Sequence, residues 1–188
     1  MIELTPGQEL TLAADDGTPL TRIEMRLGWD KERTAGAIGT GAPDVDLDAS
    51  AVEFSKGQAF DYAFYNNLQT RDGSVVHLGD NLTGRGDGDD EILTVDLGAV
   101  HPQIDTILFL VSSYQGHTLE WVDRAYCRLV GDGDVELARL TLTAGVPQTG
   151  VVMAKLFRDG AQWKLRAIGE GIDATIPTES VQALLPYL

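Results

Sequence analysis

The sequence is short of several things that a function is usually read from. It has one cysteine, three histidines and only 14 Lys and Arg against 29 Asp and Glu. A single Cys127 permits no internal disulfide and no dithiol redox pair, and it fits a reducing compartment. Its alternation with Ala125 and Leu129 reads as a small buried hydrophobe. His77, His101 and His117 are scattered with no ligand spacing, which argues against zinc. The shortage of bases leaves a formal charge of −15, a poor match for nucleic acid or a bare anionic membrane. No stretch approaches the roughly 20 apolar residues of a membrane span. The opening "MIELTPGQEL" has neither the basic nor the apolar region of a signal peptide, so cytoplasm is the expected compartment.

What is present is a soluble globular composition, 43% hydrophobic over 188 residues, expected to form one domain over 1–188. In "TRIEMRLGW" the residues Ile23, Met25, Leu27 and Trp29 alternate with Arg22, Glu24, Arg26 and Gly28, the period of a strand with one face in a core. Further strands are predicted at 45–54, 60–66, 92–97, 104–112, 124–130, 136–142, 151–157 and 162–168. Gly-rich turn signals separate them, "GDGDVE" among them as a hairpin turn. Two helical pieces are expected, a turn in "HTLEWVD" and a short helix opened by Pro177 and Thr178. The pattern predicts an all-β fold, a β-sandwich of two mainly antiparallel sheets with one or two short peripheral helices.

Two acidic segments stand out. "GDNLTGRGDGDDEILTVDL" crowds Asp80, Asp87, Asp89, Asp90 and Glu91 among four glycines, and "PDVDLDAS" sets Asp44, Asp46 and Asp48 along one side of an extended segment. At the effective dielectric of a protein surface, two like charges 4 Å apart repel by roughly 4 kcal/mol. Within these segments Arg85 is the one base, so a bound cation is the expected compensation. The donors are hard oxygens: carboxylates, the amides of Asn66, Asn67 and Asn81, and carbonyls freed by Gly84, Gly86 and Gly88. Calcium takes six to eight such oxygens in pliable geometry, whereas magnesium demands a stricter octahedron. Eight acids exceed the needs of one ion, so two Ca2+ are expected, adding four positive charges. Neither segment is an EF-hand. Counted from Asp44, position six is Ala49 and position twelve is Ser55; counted from Asp87, position twelve is Gly98. "RGD" at Arg85 to Asp87 is too short a signal to carry an adhesion reading.

These residues also carry a family likeness. Through "LGWD", "DVDLDASA", "FYNN", "DGSVVHLGDNLTGRGDGDDEILTVDL" and "LFRDGAQWKLRAIGEG" the chain resembles the TerD family of bacterial tellurium-resistance and stress-response proteins. The resemblance implies a calcium-binding β-sandwich acting in resistance to tellurite and other chemical stress. It implies calcium on Asp44, Asp46, Asp80, Asn81, Asp87, Asp89, Asp90 and Glu91, with Asp48 beside them. It implies partners among related stress-response proteins, in a membrane-associated complex without direct membrane insertion. The stretch "QGHTLEWVD" is shorter than the family's usual segment and lacks its asparagine-containing run. Two other classes remain. A metal-dependent phosphoester hydrolase would use the clustered carboxylates in a two-metal mechanism, but lacks the Lys, Arg or His expected around a phosphate, so no enzyme is expected. A calcium-dependent membrane-surface module would need more apolar or basic neighbours than Leu82 and Arg85.

Overall fold

The computed structural model describes residues 2–31, 47–79, 89–142 and 145–188. Twelve strands are present among them: β1 (Ile2–Glu3), β2 (Glu9–Thr11), β3 (Arg22–Lys31), β4 (Asp48–Ser55), β5 (Gln58–Ala63), β6 (Val75–His77), β7 (Glu91–Asp96), β8 (Thr106–Ser112), β9 (Val122–Gly131), β10 (Val135–Leu142), β11 (Gly150–Asp159) and β12 (Gln162–Ile172). The first sheet runs β1-β10-β9-β3-β7-β6 and the second β2-β12-β11-β8-β4-β5. Every pairing is antiparallel except that of β1 with β10. The all-β sandwich expected from the alternation is the fold observed.

Strand β3 shows why. Ile23, Met25, Leu27 and Trp29 are all buried and belong to the core between the sheets, while Arg26 and Glu24 face outward. Strand β4 departs from one-sided alternation because both of its faces are covered. Leu47, Ala49 and Ala51 enter the inter-sheet core. Val52 and Phe54 join a second cluster with Leu108, Leu110 and Ile172, roofed by Leu184 of the short helix α1 (Val181–Leu184).

Several boundaries moved for local reasons. Strand β5 ends at Ala63 because Phe64 and Asn67 close a turn on each other, N–H to carbonyl both ways, and the Asn67 amide donates to Tyr62 O. It begins at Gln58 because Lys56 and Gly57, both at positive φ, form the two-residue turn that suits a right-twisted hairpin. The C-terminal helix starts at Val181 rather than at Pro177, since residues 176–180 first close a turn in which the N–H of Glu179 donates to Ile176 O. The helical turn in "HTLEWVD" is the 3-10 turn Leu119–Trp121. The "GDGDVE" stretch is the β9–β10 hairpin turn, with Val135 paired to Gly131. Strands β1, β2 and β6 were not expected. Among the described residues no helix is long and apolar enough to cross a membrane.

Candidate metal centre

The roots of the two acidic segments meet at one end of the sandwich. Residues 32–46 link β3 to β4, and 80–88 link the β6 side to β7. At this end β7 enters beside β3: Leu27 pairs with Glu91, and the N–H of Asp90 donates to Leu27 O at 2.7 Å. The Glu91 side chain then crosses between the sheets, where its Oε2 accepts the N–H of Ala49 on β4 at 2.5 Å. One carboxylate therefore ties the start of β4 to the start of β7. Asp44, Asp46, Asp80, Asn81 and Asp87 lie outside the described residues.

The described acids diverge instead of clustering. Asp89 turns onto the outer face of the first sheet, where Arg128 Nε donates to its Oδ1 at 2.7 Å and Arg128 Nη2 donates to its Oδ2. Arg26 Nη1 stands 3.6 Å from Oδ2, and the Tyr126 hydroxyl donates to Oδ1 at 3.3 Å. Arg128 also reaches Glu136 at 3.1 Å, and Arg139 holds the same Glu136 at 2.9 Å, depressing its pKa below the ordinary carboxylate value. Gly28 makes room for this lattice, because a Cβ there would stand 2.4 Å from Tyr126 Cζ. Beneath it, burial and then the charge of Asp89 push the Cys127 thiol up to about 12, so it is an inert core group.

Asp90 takes a second direction, with Oδ2 accepting the N–H of Trp29 at 3.0 Å. Glu91 takes a third, inward, and is 1% exposed. His77 Nε2 lies 3.4 Å from Glu91 Oε2, and His77 Nδ1 accepts the N–H of Gly79. A neutral His77 must then carry its proton on Nε2, facing Glu91. Asp48 sits on the other side of β4 from Leu47 and Ala49. It is opposite Ser112, whose hydroxyl donates to Thr175 O, and so faces the C-terminal segment.

The sequence reading found no basic partner for the acidic run; the fold supplies one from 39 residues away in Arg128. With both oxygens held by a guanidinium, Asp89 has a partner that makes an ion unnecessary for it. Asp90 and Glu91 remain at the junction of the two segments, and their hard oxygens suit calcium. Among the described residues no three His, Cys, Asp or Glu side chains converge on one point. A full coordination shell here therefore needs the acids of 32–46 and 80–88.

A second group of carboxylates went unnoticed in the sequence. Glu53 on β4 is 0% exposed; its Oε1 accepts the Ser74 hydroxyl at 2.9 Å and, among the described residues, its Oε2 has no hydrogen-bond partner. Burial, with smaller contributions from Asp72 and Asp61, pushes its pKa up to about 7. Despite burial, Asp61 is held below the usual carboxylate value by the backbone and guanidinium N–H groups of Arg71. Asp72 is held low by the N–H groups of Ser74 and His101.

Two face-to-face sheets, with acidic connections rooted together at one end, define an all-β sandwich whose loops rather than its sheets carry the distinctive chemistry. The sequence profile of the TerD domain matches residues 1–178. The chain belongs to the TerD domain family of tellurium-resistance and stress-response proteins. It is 38% identical over 180 residues to the tellurium resistance protein TerD of Serratia marcescens, covering 90% of each chain. Against tellurium resistance protein TerZ of the same organism the identity is 36% over 173 residues, covering 90% of this chain and 89% of the relative. It is 32% identical to stress response protein SCP2 of Bacillus subtilis over 188 residues, covering 93% and 94%. The crystal structure of a homologue of telluride resistance protein TerD from Streptomyces coelicolor A3(2) shares the fold. That match has a TM-score of 0.68 at 22% identity and covers 86% of this chain and 95% of the other.

Proposed function

We propose that this chain is a calcium-binding stress-response protein, associated with resistance to tellurite and other chemical stress, that works as a binding module and not as an enzyme. The observation that carries the reading is the Glu91 carboxylate on the Ala49 N–H, which roots the two acidic segments side by side. Asp90 and Glu91, with Asp44, Asp46, Asp80, Asn81 and Asp87, would hold the calcium. The bound ion supplies charge neutralisation and rigidity, so that the loops present a fixed surface to related stress-response proteins. Catalysis on phosphate esters is disfavoured because Arg26 and Arg128 are committed to Glu24, Asp89 and Glu136 and so are not placed to hold a phosphate.

Calorimetric titration with calcium, and with magnesium in competition, tests the proposal. Saturable calcium binding with magnesium the weaker competitor is expected, and Asp46→Asn combined with Asp87→Asn should remove it. Binding to the folded state at a hundredfold excess over Kd adds about 2.7 kcal/mol, so calcium should raise the melting temperature by several degrees. Equal affinity for the two ions, or a calcium response untouched by the double variant, would overturn the reading. Phosphate-ester turnover with Mg2+ or Mn2+ that vanished in Asp87→Asn would replace binding with catalysis.

A further inference from the structure

Away from the acidic end, the outer face of the second sheet carries a cavity of about 480 Å³, between the C-terminal segment, the Pro6–Gly7 turn and strands β11 and β12. Its size falls within the roughly 300–1,000 Å³ usual for small-molecule sites. No residue of either acidic segment lines it. Lys155 and Arg166 are cross-strand partners on its floor, Pro6 and Ile168 give it apolar wall, and Tyr187 and Glu170 close the far side.

Most described bases stand against a carboxylate, and these two cations, like Lys56 and Arg158, do not. In a chain with twice as many acids as bases, Arg26, Arg71, Arg128, Arg139 and Lys164 each stand within 4 Å of a carboxylate. The Arg166 side chain is exposed and, among the described residues, makes no hydrogen bond or ion pair. Glu9, its partner on β2, acts on Lys155 through its charge but forms no ion pair within 4 Å with either cation. Lys155 is half-buried, donates to Tyr187 O at 3.1 Å and has its pKa lowered by burial and by the neighbouring Arg166. Two like charges are thus held side by side at the floor of a cavity, with Glu9 and Glu170 nearby but neither within ion-pair distance of them, so a small anion seated between them would offset their repulsion. The β11–β12 ladder shifts register beside this floor, between Val152 and Ala154, with Gly169 at φ +69°. Bulges of this kind commonly re-aim side chains next to binding sites.

We propose that this cavity binds a small organic anion, with its carboxylate or phosphate group on the Arg166 fork and the Lys155 ammonium and its apolar body against Ile168 and Pro6. Arg166 offers the planar pair of donors that matches either head group, and Lys155 adds a point charge. The cavity is much larger than an inorganic oxyanion, which is why an organic body is assigned.

The test is a backbone-amide NMR titration of the full chain with phenyl phosphate and with benzoate, using inorganic phosphate and benzyl alcohol as controls. It is run once in excess calcium and once in chelator, so that the state of the acidic loops is separated from the result. Saturable shifts confined to Gly7, Ala167, Ile168 and Leu188 are expected with at least one organic anion and none with benzyl alcohol. Arg166→Gln, at an exposed position, should keep the native spectrum and weaken binding at least tenfold, while Arg166→Lys recovers part of it. The Lys155 ammonium should titrate at higher pH when the anion is bound. Absence of saturable shifts with both organic anions, unchanged affinity in Arg166→Gln, or inorganic phosphate binding as tightly as phenyl phosphate would each overturn the assignment.

Discussion

Two crowded groups of carboxylates, at the entrance to β7 and at the β5–β6 corner, solve the same problem by different means. At β7 the charge of Asp89 is met by Arg128, and Arg128 is shared with Glu136 and so linked to Arg139. At the β5–β6 corner Arg71 serves Asp61, backbone N–H groups serve Asp72, and Glu53 is left to burial, which favours its protonated form. The difference shows that this fold disposes of like charge wherever a cation or a proton is at hand. The segments 32–46 and 80–88 bring Glu32, Asp44, Asp46, Asp80 and Asp87 with only Arg33 and Arg85 as bases of their own. That is where an external cation has most to offset.

The comparison breaks most decisively at Arg128. Its removal in Arg128→Ala leaves Asp89, whose side chain is 8% exposed, without its bidentate partner. Stranding one member of a mostly buried pair costs about 3–4 kcal/mol, which urea denaturation would register as a lower midpoint. Adding Asp89→Asn to that variant should restore part of the loss, because the stranded charge is gone. A loss under about 0.5 kcal/mol would mean the pair behaves like an exposed one, and the contrast between the two groups would collapse.

The β5–β6 corner gives the next largest effect, read against pH. The folded pKa of Glu53, about 7, is raised above its ordinary 4.5, so the folded state holds a proton that the unfolded state releases. Its contribution to stability is full below about pH 4.5 and is lost as pH rises through 7. Between pH 5 and pH 8 the parent should lose about 2–3 kcal/mol relative to Glu53→Gln, whose side chain does not titrate. Parallel denaturation curves for the two proteins at both pH values measure the difference. A constant gap between them would show that Glu53 is ionised across the whole range.

The legibility of the molecule follows the range of its interactions. Strand β3 could be read from Ile23 to Trp29 because alternation is local and one face is buried. Strand β6, three residues long, and β1, two residues paired in parallel to β10, carry too little pattern to detect. The acidic segments were legible as charge, and their common root at one end follows from the positions of β3, β4 and β7. The fate of each acid was not legible. Asp89, Asp90 and Glu91 are consecutive in sequence, yet they point to Arg128, to the Trp29 N–H and to the Ala49 N–H. The outward alternation of Arg26 and Arg128 on their strands was the available signal, but the pairing of β3 with both β7 and β9 is what brings them to Asp89. Glu53 was hidden by an apolar run whose burial on both faces depends on the distant C-terminal helix.

The smallest effect sharpens the comparison within a single dipeptide. If like-charge repulsion were the only term, replacing either Asp89 or Asp90 with Asn would stabilise the metal-free chain. The geometry reverses that sign for Asp89, since Asp89→Asn weakens a charge-assisted pair with Arg128, a loss of about 1–2 kcal/mol. For Asp90 the Asn oxygen still accepts the Trp29 N–H, so Asp90→Asn should change the metal-free stability by no more than about 0.5 kcal/mol. Calcium separates the two differently. If Asp90 holds the ion, Asp90→Asn that weakens binding tenfold removes about 1.4 kcal/mol of the calcium-induced stabilisation, or about 3–6 °C of melting temperature. Asp89→Asn should keep its calcium increment intact while melting lower at every calcium concentration. Thermal melts of both variants across a calcium series read both quantities at once. An increment lost in Asp89→Asn and kept in Asp90→Asn would exchange their roles, placing the ion on the outer face of the first sheet and leaving Arg128 to orient its ligand.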